Sequence, residues 1–180
     1  MAKTKKTLFI SLLVAQGVVL GLLENMLPYP FAFAPGAKLG LANLITVISL
    51  FTMRNRDSFF LVWLRLLLTT LLGGTVSTFL YSASGAMLSY AGMLVVKKLG
   101  PQRVSIVGIS AAGGFLHNVG QLIVAAMIAQ SWSVMLYLPV LSFLGVLSGI
   151  FIGMAANYLL QRVKTLQEFQ LAYERRNLTK

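Results

Sequence analysis

Four ionisable side chains stand where an apolar sequence makes them expensive: Glu24, Lys38, Arg65 and His117. A charge or imidazole inside an apolar span faces a partner, a cavity or a substrate path, because hydrocarbon solvates it poorly. Two amides join the imidazole. His117 and Gln121 are four residues apart and Asn118 and Gln121 three apart, so all three lie near one region of a helix. An Asn or Gln amide offers two donors and an acceptor oxygen with two lone pairs. Such a group serves either an interhelical hydrogen-bond network or a polar ligand. A lone histidine with no further ligands at recognisable spacing is a poor metal site, and none is expected.

Glu24 and Lys38 flank the segment Pro28-Tyr-Pro-Phe-Ala-Phe-Ala-Pro-Gly36, whose prolines exclude regular helix. The pair either pins this segment as a structural ion pair or forms the mouth of an outward-facing pocket. Arg65 lies one and a half to two turns in from the inner end of its span, about 10 Å, and suits a structural or coupling role better than a pocket opening outward. Ser11 and Ala15, and again Gly17 and Gly21, place small residues one helical turn apart, which supports close contact with another helix inside the chain or in a partner.

The elements that carry these residues follow from charge and hydropathy. The chain has 180 residues, 57% of them apolar and 11% charged, with a mean hydropathy of +0.81. Of its 15 Lys and Arg residues, all but Lys38 and Arg65 cluster at the ends of apolar stretches. Lys and Arg collect in cytoplasmic loops, and the intervals between clusters each have the length of a membrane hairpin. The expected fold is an all-α integral membrane protein with six transmembrane helices and both ends cytoplasmic, crossing a bacterial cytoplasmic membrane. The spans run approximately over 8–26, 39–53, 59–81, 83–96, 104–129 and 137–160. A cytosolic amphipathic tail, 161–180, continues the last span and lies on the headgroups. The whole chain is one membrane domain. The first apolar run follows Lys3, Lys5 and Lys6 but lacks a clean cleavage site, so it reads as a retained helix.

Composition also excludes functions. The net charge of +11 sits at span ends, where orientation and anionic lipid account for it better than nucleic acid. No cysteine means no disulfide or thiolate chemistry. Acidic residues number 4, with Asp57 the one aspartate, so the chain cannot alone build the carboxylate-held Mg²⁺ site that condenses prenyl diphosphates. It carries no phosphate loop either, and any ATP dependence would come from a partner.

Several motifs carry a family resemblance: Pro35-Gly-Ala-Lys-Leu-Gly-Leu-Ala-Asn43, Arg65, Ser82-Ala-Ser-Gly85, Gly108-x-Ser110 through His117-Asn-x-Gly-Gln121, and Tyr137-Leu-Pro139. The chain resembles the family called heptaprenyl diphosphate synthase component I, also the Gx transporter family. The family is in turn similar to the S-components of energy-coupling-factor (ECF) transporters, small six-helix proteins that bind a micronutrient. That likeness implies an outward-facing pocket at Glu24, Lys38, Asn43, His117, Asn118, Gln121 and Tyr137, with no cofactor. It also implies a docking face at Ser11 and Ala15 for a transmembrane coupling subunit, with two cytosolic ATPases supplying energy. The bound small molecule would be amphipathic or aromatic with an anionic group. The family label implies instead a non-catalytic accessory role in menaquinone or polyprenyl diphosphate metabolism, and a third reading is flavin- or quinone-linked electron transfer.

Overall fold

A computed structural model of the chain describes residues 3–26 and 40–178, and every regular element in them is helical. The helices are α1 (Lys3–Met26), α2 (Asn43–Thr52), α3 (Asn55–Gly73), α4 (Val76–Lys97), α5 (Ile106–Ile128), α6 (Leu138–Arg162) and α7 (Lys164–Leu178). A 3₁₀ turn, Trp132–Tyr137, leads into α6. The Pro-rich segment and Lys38 lie outside the described residues.

Four of these helices are long and apolar enough to cross a membrane: α1, α4, α5, and α6 with its 3₁₀ lead. α3 is about 28 Å long at 1.5 Å per residue, but Arg56, Asp57 and Arg65 lower its apolarity. α2 has 10 residues, about half the thickness of a hydrocarbon core, and nearly all of it is buried. It forms the axis against which the other helices pack.

The helices are turned inside out relative to a protein folded in water. α6 buries Leu141, Gly145, Gly149, Gly153 and Ala156 and turns Phe143, Leu147, Phe151 and Tyr158 outward. Small residues inside and large apolar ones outside give close helix packing where the surroundings are themselves apolar. The closest approaches are backbone to backbone. A Cβ at Gly149 would stand 2.6 Å from the Ser110 carbonyl, and one at Gly120 would stand 2.6 Å from the Ser84 carbonyl. α4, α5 and α6 thereby form one tightly packed slab.

α1 joins α3 differently. Gly17 and Gly21 receive the Arg65 stem and the Thr69 side chain, while Ser11 and Ala15 point out of the bundle. The two small-residue pairs of α1 thus face different surroundings. α1 and α6 do not meet, and an apolar groove of about 690 Å³ floored by α2 lies between them.

The basic clusters gather at one end of the bundle. Lys6 pairs with Asp57 at 2.8 Å. Lys97 donates to the Leu50 carbonyl and to the Tyr173 hydroxyl, its ammonium lying 4.6 Å from the Phe51 ring centre.

Two boundaries differ from expectation. The break between the third and fourth helices falls at Gly74 and Thr75 instead of near Ser82. There Gly74 is extended, and Thr75 caps α4 by accepting from the Thr78 backbone N–H at 3.2 Å. Nor does the tail run on from α6 as one helix. Val163 is extended and turns the chain, so α7 packs against α2 and α6. Leu166 and Phe169 are buried, and the Phe169 ring stacks on Phe9 with centroids 3.8 Å apart. Phe169→Leu keeps apolar bulk and loses the stack, so denaturation in mild detergent should show a loss of about 1 kcal/mol.

Candidate functional site

Several polar residues of the interior surround a small cavity at the level of Arg65. Arg65 is the eleventh residue of α3, about 15 Å along the helix from its start at the basic end. That is about the middle of α3, further from the helix start than a span beginning at Phe59 implies. Its side chain can cross from α3 toward α1 because residue 17 is glycine. A Cβ there would stand 2.5 Å from Arg65 Cδ.

Around this guanidinium the cavity is walled by Glu24 of α1, Asn43 of α2, Thr69 of α3, Ser82 of α4 and His117 of α5. Arg65, Glu24, Asn43 and His117 are each 6% exposed or less. The open space is about 30 Å³, close to the volume of one water. Arg65 Nε, Thr69 Oγ1 and Ser82 Oγ are buried without a hydrogen-bond partner among the described residues.

Local backbone explains how the walls meet. Glu24 Oε1 accepts the Gly40 and Leu41 backbone N–H groups, tying the end of α1 to the entry of α2. Gly40 has φ +82, a left-handed conformation that glycine adopts without strain, and its carbonyl accepts from the Asn43 N–H at 2.7 Å. Glycine 85 lets the imidazole lie flat on α4, since a Cβ there would stand 2.9 Å from His117 Nδ1 and Cε1. The Glu24 carboxylate also acts electrostatically on Arg65 across the cavity.

Of the residues expected to bind a ligand, the structure brings Glu24, Asn43 and His117 together and adds Arg65 to them. Asn118 is turned to α6, where its amide donates to the Leu141 carbonyl and ties the two helices. Gln121 is buried and Tyr137 is partly exposed at the end of the 3₁₀ turn, and neither walls the cavity. Lys38 is outside the described residues.

Thr69 was not singled out from the sequence, and Ser82 stood out only within the motif Ser82-Ala-Ser-Gly85, not as a site residue. Thr69 could have been found as the residue one turn beyond Arg65 on the same face. Ser82 gave no such signal, because its position near the cavity depends on how α4 crosses α5. Among the described residues no group of three or more His, Cys, Asp or Glu side chains converges.

A sequence model of the family described as heptaprenyl diphosphate synthase component I matches residues 13–159. No curated protein and no solved structure matches the chain.

Proposed function

The chain belongs to the heptaprenyl diphosphate synthase component I family, and from that premise we propose that it is the substrate-binding subunit of an ECF-type uptake transporter. The observation that carries the proposal is the cavity at Arg65: a cation, an imidazole and an amide held together inside a bundle whose outer surface is apolar. A fold that only needed stability would gain little from burying these groups. A fold that selects a polar ligand in hydrocarbon needs them.

The chain crosses the cell membrane six times in this reading, with the basic end cytoplasmic. The gathering of Lys6, Arg54 and Lys97 at one end supports that orientation. The ligand, amphipathic or aromatic with an anionic group, enters from the opposite end. With room for about one water, the site must open to admit it. The outward face of α1 at Ser11 and Ala15 is the docking surface for a transmembrane coupling subunit and, through it, two ATPases. Its support is that no helix of the described bundle covers it. The chain binds and does not catalyse.

A second reading makes the protein a non-catalytic accessory of polyprenyl diphosphate metabolism, holding a lipid for a catalytic partner. The family description and the apolar groove between α1 and α6 favour it. Native mass spectrometry of the protein, gently purified from its own membrane, separates the two. A micronutrient with a coupling subunit and ATPases is the expected result. A bound polyprenyl lipid with a synthase subunit would replace the transporter reading by the accessory one. On the first reading His117→Ala folds and binds the co-purified molecule at least about tenfold more weakly, measured by titration calorimetry. Unchanged affinity would remove His117 from the site.

A further inference from the structure

We infer that the cavity at Arg65 is an anion site that takes the monovalent carboxylate of a small amphipathic molecule. The inference deepens the binding-subunit reading and rests on it.

Three donors on residues that wall one cavity have no acceptor among the described residues. The one unpartnered acceptor on the same wall, Asn25 Oδ1, is a single amide oxygen that cannot serve all three. Arg65 Nε, Thr69 Oγ1 and Ser82 Oγ all wall the cavity, all are at least nine-tenths buried, and none has a hydrogen-bond partner among the described residues. A guanidinium donates only, and a hydroxyl can rotate its proton toward an acceptor. The missing piece is therefore an oxygen-rich acceptor. A guanidinium fork matches the two oxygens of a carboxylate in a bidentate contact.

Charge then selects among anions. The ionisable groups walling the cavity are Arg65, Glu24 and His117. Glu24 already faces Arg65, so an entering monoanion leaves one negative charge beyond that balance. A phosphate dianion would leave more charge uncompensated in an apolar interior, where it is poorly tolerated. Glu24 is thus the chain's own counter-ion at this site. Its carboxylate also accepts the Gly40 and Leu41 N–H groups, a hold that remains available to it when a ligand carboxylate takes its place beside Arg65. A single water could also satisfy the three donors, but its binding would not depend on charge.

The test uses the full chain in phosphatidylcholine nanodiscs, with thermal unfolding followed against benzoate, benzamide and inorganic phosphate. Benzoate should raise the midpoint saturably, by about 3 °C, while benzamide and phosphate should not. Arg65→Lys should raise the half-saturating benzoate concentration about tenfold, and Glu24→Gln should lower it about threefold by removing the competing carboxylate. An equal response to benzamide overturns the proposal, as does a benzoate response unchanged in Arg65→Lys; either would leave a structural water as the occupant. A larger response to phosphate overturns the choice of a monoanion. If Arg65→Lys does not fold, the Thr69→Val, Ser82→Ala double variant carries the same comparison. Co-purifying subunits are read separately. Benzoate binding without a coupling subunit keeps the anion site and removes the transporter reading, and a coupling subunit without benzoate binding does the reverse.

Discussion

Gly114→Val leaves little folded protein. At this position α5 lies against the backbone of α6, so a Cβ would fall on the Gly145 carbonyl and stand 3.2 Å from Gly149 Cα. The obstruction is reciprocal, since a Cβ at Gly145 would stand 2.5 Å from the Gly114 carbonyl. Backbone cannot swing aside as a side chain can, so the two helices must separate along their length. The separation also breaks the Asn118 bond to Leu141. Overpacking at such a contact costs about 3 kcal/mol or more, a large part of a stability of about 5–15 kcal/mol. The monodisperse fraction after detergent extraction and the denaturation midpoint both report it. Gly92→Ala is the matched control: there the added methyl meets the end of the Leu116 side chain, which can move. Its cost should stay below about 1 kcal/mol. Near-normal stability of Gly114→Val would mean that α5 and α6 do not pack as described.

The second large effect is a coupling. Glu24→Gln leaves the Arg65 guanidinium buried without its counter-charge, and Arg65→Gln leaves the carboxylate so. Leaving one buried charge without its compensating neighbour costs about 1–3 kcal/mol. The double variant buries neither charge, so its cost should fall short of the sum by at least about 1 kcal/mol. Chemical denaturation of all four proteins in nanodiscs gives the coupling directly. Strictly additive costs would show that the two groups do not sense each other and that the cavity is not electrostatically closed.

How far the sequence could be read varies along the chain, and the reasons are physical. The last two long helices were expected at 104–129 and 137–160 and are found at Ile106–Ile128 and Leu138–Arg162. Gly100, Pro101 and the Ser105 cap mark the start of one, and Pro139 marks the first turn of the other. The third and fourth were harder. Gly73, Gly74 and Thr75 look like small residues inside a span, where glycine is tolerated, while Ser82-Ala-Ser-Gly85 looks like a turn and is continuous helix. Moving that boundary, and starting α3 at Asn55 with its charged first turn, changes the depth of Arg65 and brings it into the cavity. His117 and Asn118 could not be separated by pattern alone. They are adjacent, about 100° apart around α5, so one meets α4 and the other α6. Only the packing of the neighbouring helices decides which is which.

The packing is uneven, and the cavity lies where it is weakest. On one side α4, α5 and α6 touch through backbone, while on the other α1 grips α3 through the Arg65 and Thr69 side chains. Two extended residues, Gly74 and Thr75, join the halves. With α2 packed against both sides, the cavity lies in the crease between them: Glu24, Arg65 and Thr69 on one leaf, Ser82 and His117 on the other. Opening such a site needs a change of angle between the two leaves. A ligand in the crease would hold the leaves apart, and a partner gripping Ser11 and Ala15 from outside would lever the leaf that carries Glu24 and Arg65. Such a partner could expel what is bound without ever touching it.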